Sequence, residues 1–196
     1  GPWDWDRMTV ATQMGDWAAV RHSGARIGMT FAAAEGPVDE VWHDCLIRIV
    51  DDEGDEFDLW ATRTGPVTAR VDMPSPPGWP NHLHDLVIFE AVPLEHDRSE
   101  EVPCYRMVQV LTPAPPTEIQ QILLPDPGEA LIEEVRSGVM ALGGTFWHST
   151  APGWERDLGE GPVLAIAALL AVPVDADPDA LEALLDLLSP EDGPPG

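Results

Sequence analysis

The amino-acid sequence predicts a β-rich α+β protein, in which a mainly antiparallel, twisted sheet forms a sandwich or a partial barrel and a C-terminal helix covers one side. Three observations carry this prediction. Short apolar runs alternate with polar residues between positions 41 and 73, turn residues separate those runs, and leucines with helical spacing lie near the C-terminus.

The length and composition predict one globular domain. The chain has 196 residues, 44% of them are apolar, and eight are tryptophan. A chain of this size can bury one substantial core, and its aromatic and aliphatic content argues against wholesale disorder. We therefore expect a single domain over residues 3–188, with a weak boundary in the proline-rich segment 112–117 and a disordered tail over 189–196.

The clearest local prediction is a three-stranded meander. The run Val41–Val50 is dominated by apolar residues on both faces, which is typical of a central strand, and an acidic turn follows it. Two alternating runs come next, separated by a Thr-Gly-Pro turn; their inward positions are Phe57, Leu59 and Ala61, then Val67, Ala69, Val71 and Met73.

Other strands are predicted on both sides of the meander. We expect a hairpin of Trp17–Val20 and Ile27–Ala33 around a Ser23-Gly24 turn, and two later strands over Leu86–Val92 and Cys104–Leu111. Four prolines within residues 74–80 predict an irregular loop between the meander and the first of these later strands.

Two helices are predicted in the C-terminal third. The first starts at Asp126-Pro127 and stops at Gly138. The second starts at Asp177-Pro178, and its leucines share one face: Leu181, Leu184, Leu185 and Leu188. A weak similarity between residues 20–31 and 135–146 leaves an alternative open, because a true duplication would make 135–147 a hairpin in place of the first helix.

The charge of the chain limits its partners. Thirty-five Asp and Glu residues stand against ten arginines, lysine is absent, and the formal net charge is −25. Such a field repels nucleic-acid phosphates and anionic lipid headgroups. The composition therefore argues against binding to nucleic acid or to a membrane surface and favours a basic protein partner, unless the acidity serves solubility alone.

The predicted partner-binding site is the acidic turn together with one tryptophan: Asp51, Asp52, Glu53, Asp55, Glu56 and Trp60. Trp60 is out of phase with its apolar neighbours, so its ring should lie on the outer face, where aromatic residues often dominate binding energy. The turn does not match a calcium-binding loop, because Glu56 stands at the sixth position, which requires glycine.

A second candidate site consists of His82, His84 and Asp85. Residues two apart on an extended segment point the same way, so the two imidazoles could share a zinc ion, with a third ligand from His43 or His96. No other cofactor is expected. Cys45 and Cys104 lack metal-binding spacing and lie in apolar runs, so we expect buried free thiols, which fits a cytoplasmic location.

Together these features favour a non-enzymatic acidic protein that neutralises a basic partner, such as an inhibitor or immunity protein of a nuclease-like toxin in bacteria. The sequence contains neither a nucleophile-elbow motif nor a phosphate-binding glycine loop, which argues against an enzyme without deciding the matter. Two alternatives remain: a small-molecule or metal-dependent enzyme with a pocket lined by Trp and His, and an assembly component that docks through its C-terminal helix.

Overall fold

The computed structural model describes residues 1–76, 78–94, 102–125, 129–148, 154–157 and 162–187. The chain divides into two compact units, Gly1–Ala114 and Pro115–Gly196. The division falls inside the proline-rich segment 112–117. Whether the two units unfold together as a single domain stays a prediction, and the tail 189–196 lies outside the described residues.

In its described residues, unit 1 contains two helices and five strands. Their bounds are α1 Pro2–Gln13, α2 Trp17–Arg26, β1 His43–Val50, β2 Glu56–Arg63, β3 Thr68–Val71, β4 Leu86–Phe89 and β5 Cys104–Thr112. The strands form a closed barrel in sequence order. Each strand runs antiparallel to the next, so the first and fifth point the same way, and β1 closes on β5 as a parallel pair.

The barrel confirms the predicted meander and both later strands. Ile47 of β1 and Leu59 of β2 lie on the inward face and are fully buried, while Arg48 and Asp58 lie on the outward face. Small and branched side chains complete the core inside the barrel, because a five-stranded barrel leaves little interior space: Ala61 of β2, Val67 just before β3, Ala69 and Val71 of β3, and Val87 of β4.

The predicted hairpin over 17–33 is wrong, because this segment begins with helix α2. Asp16 caps the helix by accepting a hydrogen bond from the Ala19 amide at 2.9 Å. The Ser23-Gly24 pair is a packing site inside the helix and not a turn. A Cβ on Gly24 would lie 2.6 Å from the Phe31 ring, so the glycine allows that ring to pack closely on α2.

The part of unit 2 that the structure describes contains four strands and two helices. Their bounds are β6 Thr117–Pro125, α3 Glu129–Ala141, β7 Thr145–His148, β8 Trp154–Asp157, β9 Pro162–Pro173 and α4 Pro178–Asp186. Strand β9 is central: β6 pairs along one edge, and β7 and β8 pair with successive parts of the other edge. All these pairs are antiparallel.

The two helices pack together in unit 2, and their contact corrects one prediction. Helix α3 continues through Gly138 to Ala141, so Gly138 is not a stop and residues 135–147 do not form a hairpin. A Cβ on Gly138 would lie 2.5 Å from Leu184 Cδ1 of α4. The glycine therefore marks the close approach of the helices. The predicted cap at Asp126 lies outside the described residues.

Helix α4 confirms the predicted C-terminal helix. Asp177 accepts a hydrogen bond from the Asp179 amide at 3.1 Å, and Pro178 occupies the first turn. Leu184 is buried in the core of unit 2, and Leu181 and Leu185 pack against the same core. Leu188 lies outside the described residues. No helix in the described ranges is long and apolar enough to cross a membrane.

Candidate functional site: the acidic hairpin of unit 1

The acidic turn between β1 and β2 is held in shape by Asp51. Its carboxylate accepts hydrogen bonds from the Glu53 and Asp55 amides at 2.9 and 2.8 Å, an arrangement that stabilises tight turns. Gly54 has a φ of 90°, which glycine adopts without strain. Because Asp51 is engaged with the backbone, it contributes shape to the turn more than it offers charge to a partner.

An arginine clamps the base of the same hairpin. Arg48 of β1 lies directly opposite Asp58 of β2 and binds it through two parallel hydrogen bonds, Nε to Oδ1 at 2.7 Å and Nη2 to Oδ2 at 2.8 Å. Its third nitrogen donates to Glu56 at 2.9 Å. The bond to Asp58 raises the pKa of Arg48 above its usual range. Because the two hydrogen bonds between Arg48 and Asp58 hold these residues opposite each other, they fix the register of β1 and β2 near the turn.

Three carboxylates remain free for binding at the tip. Asp52, Glu53 and Asp55 are exposed, and none of them takes part in an ion pair within the described part of the chain. Glu56, by contrast, lies between Arg48 and Arg106, at 2.9 and 3.8 Å. The structure thus divides the predicted acidic residues into a free set, Asp52, Glu53 and Asp55, and a structural set, Asp51 and Glu56.

Trp60 lies on the outer face of β2, as its phase predicted. Its side chain is 43% exposed, whereas Leu59 and Ala61 on either side are buried. It is opposite Leu46 of β1 and two residues from Asp58. At a rise of about 3.3 Å per residue, Trp60 lies about 13 Å along the strand from Glu56. The tip and the ring can therefore contact one partner of ordinary interface size.

The histidine segment forms a hydrogen-bonded turn. His82 Nδ1 lies 2.9 Å from Asp85 Oδ2, and Asp85 Oδ1 accepts from the Ala114 amide at 2.7 Å. The His84 backbone has a φ of 65°, and its amide donates to the Val71 carbonyl. Both oxygens of Asp85 thus have partners within unit 1, and these hydrogen bonds compensate for the water that the carboxylate loses on burial.

No group of three His, Cys, Asp or Glu side chains in the described ranges could hold a metal ion. A zinc site built on His82, His84 and Asp85 would need a ligand from the remainder of the chain. His96, one of the predicted third ligands, lies outside the described residues. The other, His43, has a lowered pKa because burial disfavours its charged form and Arg63 repels it.

A buried arginine inside the barrel was not foreseen. Arg63 is 8% exposed, and its guanidinium donates to Tyr105 Oη and to the carbonyls of Gly65 and Pro66. Burial lowers its pKa, and the rings of Trp42, Phe89 and Tyr105 lie 5.3–5.4 Å from its Cζ. Among the described residues it forms no ion pair with a carboxylate. The one available signal was its inward phase with Leu59 and Ala61.

The two cysteines are buried free thiols, as predicted. Burial raises the pKa of Cys45 to about 12, and burial also raises the pKa of Cys104 to about 12. The Cys104 thiol lies 3.6 Å from Asp58 Oδ1, whose charge disfavours the thiolate further. These thiols are therefore poor nucleophiles, because the thiolate is the reactive form.

The cavities lined by the described residues of unit 1 include two that open on its surface. One, of about 470 Å³, lies between the α1–α2 corner and the barrel, and the other, of about 700 Å³, lies between α1, the segment that follows β4 and the middle of β5. Each has one tryptophan in its lining, Trp17 and Trp5 respectively. Neither lining includes His82 or His84, so neither matches the predicted pocket of Trp and His.

Comparisons with known proteins give a sparse result. No family model matches the chain, and no curated protein matches it significantly. Among solved structures, the chain is similar to a hypothetical protein from Neisseria gonorrhoeae, with 14% sequence identity over 74% of this chain and 84% of that one, at a TM-score of 0.35. This likeness is too distant to support an argument about fold or function.

Proposed function

We propose that the protein is a non-enzymatic acidic binding protein that neutralises a basic protein partner, in the manner of an inhibitor or immunity protein of a nuclease-like toxin. The observation that carries the proposal is the hairpin tip, where Asp52, Glu53 and Asp55 are exposed on a turn fixed by Asp51 and Arg48. A rigid display of carboxylates binds with less loss of conformational entropy than a flexible acidic loop.

The chemistry of such a tip suits a cationic cleft. A nuclease binds phosphates through arginines and lysines, and carboxylates can occupy the same positions. The net charge of −25 would speed the encounter by long-range attraction. Trp60 would then supply apolar contact area beside the charges, which a purely electrostatic contact lacks.

The alternatives find less support in the described residues. The leucines of α4 contact the core of their own unit, which leaves less of the stripe available for docking to another protein. The predicted Trp and His pocket does not coincide with either of the two cavities described above for unit 1. An enzyme and an assembly component stay predictions on the sequence alone.

The partner is first isolated from the native host at low salt and purified. The test then measures the rates at which the protein associates with this partner and dissociates from it. Changing Asp52, Glu53 and Asp55 together to lysine should slow association at moderate salt by tenfold or more, while dissociation changes less. The matched control changes three exposed glutamates and aspartates of unit 2 to lysine: Glu134, Glu182 and Asp186.

This control alters the net charge equally but leaves the tip intact, so it should retain most of the association rate at moderate salt, where distant charges are screened beyond about 8 Å. An association rate that is indifferent to salt, or equally slowed by both triple variants, would contradict the proposal.

A further inference from the structure

The smaller cavity of unit 1 has the features of a small-molecule site. Its volume, about 470 Å³, lies within the range of about 300–1,000 Å³ that is typical of ligand pockets. One wall comes from the α1–α2 corner and includes Trp17, and the opposite wall comes from the barrel and includes Leu86 and Leu111. Val38 between them is buried. The cavity is thus mainly apolar but is open to solvent.

The cavity also carries one positive and one negative group side by side. Arg70 Nη2 lies 3.1 Å from Asp39 Oδ2, and both residues line the cavity. Arg70 Nη1 also donates to the His84 carbonyl at 3.3 Å, which anchors the guanidinium of this β3 residue to the turn before β4. The two side chains are 40% and 46% exposed, so a ligand can reach them from the cavity.

We propose that this cavity binds a free α-amino acid with a large apolar side chain. The carboxylate of such a ligand would bind the guanidinium of Arg70, and its ammonium group would bind the carboxylate of Asp39. A guanidinium has five N–H groups and a carboxylate accepts about four hydrogen bonds, so the existing pair has capacity for both. The apolar side chain of the ligand would pack against Trp17, Leu86 and Leu111.

The charge of the protein favours a zwitterion over a ligand with a single charge. A simple carboxylate is repelled by a net charge of −25. A simple amine is attracted and can bind Asp39, but it offers no carboxylate to the remaining N–H groups of Arg70. A zwitterion is neutral overall and complements both groups at once. The site selects the zwitterion over an analogue that lacks one charge, because such an analogue leaves either Arg70 or Asp39 without its ligand partner.

The probes are L-phenylalanine, phenethylamine, which lacks the carboxylate, and 3-phenylpropionate, which lacks the ammonium group. The readout is the indole N–H signal of Trp17 in a proton–nitrogen NMR spectrum, identified with the Trp17→Phe variant. We expect L-phenylalanine to shift this signal saturably at millimolar concentration, and each analogue to bind at least about tenfold more weakly.

Two variants test the charged pair, each with a matched control. Arg70→Gln and Asp39→Asn should each weaken L-phenylalanine binding by about tenfold or more. Arg106→Gln and Asp52→Asn make the same charge changes outside the cavity lining and should leave binding unchanged. The melting temperature of each variant reports whether it folds, and the probe comparison on the unaltered protein remains decisive if a variant does not fold.

Three results would overturn the proposal. One is that none of the three probes shifts the Trp17 signal saturably. Another is equal binding of L-phenylalanine and phenethylamine, which would assign the cavity to cationic ligands. The third is an equal loss of binding in Arg70→Gln and Arg106→Gln, which would reduce the effect to net charge.

Discussion

At the scale of single residues, Arg63 has an unusual environment for a charged side chain. Transfer of a guanidinium from water into a barrel costs several kcal/mol unless hydrogen bonds compensate. Here Tyr105 Oη and two carbonyls accept those bonds, and three aromatic faces surround the charge. The residue therefore joins the 64–66 turn to β5 through the barrel interior.

Replacing Arg63 with methionine should lower the free energy of unfolding by about 1–3 kcal/mol, because Tyr105 Oη and the two carbonyls lose their donor. Arg63→Lys should recover only part of the loss, since an ammonium lacks the planar fork of a guanidinium. Urea unfolding measures both variants. Arg106→Met is the control, because that side chain is half exposed and its ion pair is long. An Arg63→Met variant more stable than the parent would show that desolvation dominates.

The buried thiols lead to a pH prediction. Their pKa is about 12 in the folded protein, above the reference value of 9.0, so the folded state retains protons that the unfolded state loses between those values. The contribution of the thiols to stability is therefore present below about pH 9 and is lost as the pH rises toward 12.

The burial of the two thiols, on which this pH dependence rests, is measured by the rate at which they react with a small aromatic disulfide reagent. The reaction is followed by absorbance at mildly alkaline pH. Both thiols should react slowly in the folded protein and fast in concentrated urea. Fast reaction of one thiol in the folded protein would contradict its burial and would return Cys45 or Cys104 to the list of candidate reactive groups.

At the scale of elements, the contact between α3 and α4 depends on Gly138 and Leu184. Leu184→Ala should cost about 2–5 kcal/mol, because it removes a buried side chain from a packed core. Leu187→Ala, one residue beyond α4 and 50% exposed, is the control and should cost under about 0.5 kcal/mol. Thermal or urea unfolding measures the difference. Equal stability of the two variants would show that Leu184 is not packed as described.

Gly138→Ala tests the same contact from the other helix. Alanine normally stabilises a helix interior by about 1 kcal/mol relative to glycine. Here its Cβ would meet Leu184 at 2.5 Å, so we expect destabilisation in the parent protein. In a Leu184→Ala background the clash is absent, and the same change should become stabilising. A double-mutant cycle measures this reversal of sign, and additive effects would contradict it.

The elements also show why sequence reasoning succeeded in the barrel and failed at the N-terminus. Strand β1 is marked by apolar residues on both faces and β2 by strict alternation around Leu59 and Ala61, and both patterns are visible in the sequence. Helices α1 and α2 bury Met8 and Val20, but their other buried residues are small or polar, such as Thr12, Ser23 and Gly24, so no continuous apolar stripe marks them. Strand β9 is a continuous apolar run, which does not by itself distinguish a buried strand from a helix.

The candidate site was predictable only in part, for a similar reason. The turn and the outward phase of Trp60 follow from local pattern. Glu56 has its closer partner, Arg48, within the same hairpin, but its second partner, Arg106 of β5, lies fifty positions later in the chain, and the pairing of Arg70 with Asp39 depends on how β3 meets the segment before β1. Such contacts are set by the closure of the barrel, and no local pattern encodes them.

At the scale of the whole molecule, the net charge of −25 should make stability depend on salt. Ion pairs within the described ranges engage only some of the carboxylates, including Asp58, Glu56 and Asp39, so like charges elsewhere repel one another across the surface. Self-repulsion destabilises the compact state more than the expanded unfolded chain. Screening by salt should relieve it.

We therefore expect the melting temperature to rise between low and physiological sodium chloride, where the screening length falls from about 30 Å to about 8 Å.

Neutralising the tip with Asp52→Asn, Glu53→Gln and Asp55→Asn should raise the melting temperature at low salt and flatten its salt dependence, because three like charges are removed and no fold contact is lost. Asp51→Asn is the control: it also removes one charge but weakens the acceptor of two turn amides, so it should lower the melting temperature at every salt concentration. Differential scanning calorimetry in sodium chloride, with sucrose of equal osmolality as a second reference, measures all three proteins. If the tip variant melts lower than the parent, the three carboxylates stabilise the fold, and their assignment as a free binding surface is wrong.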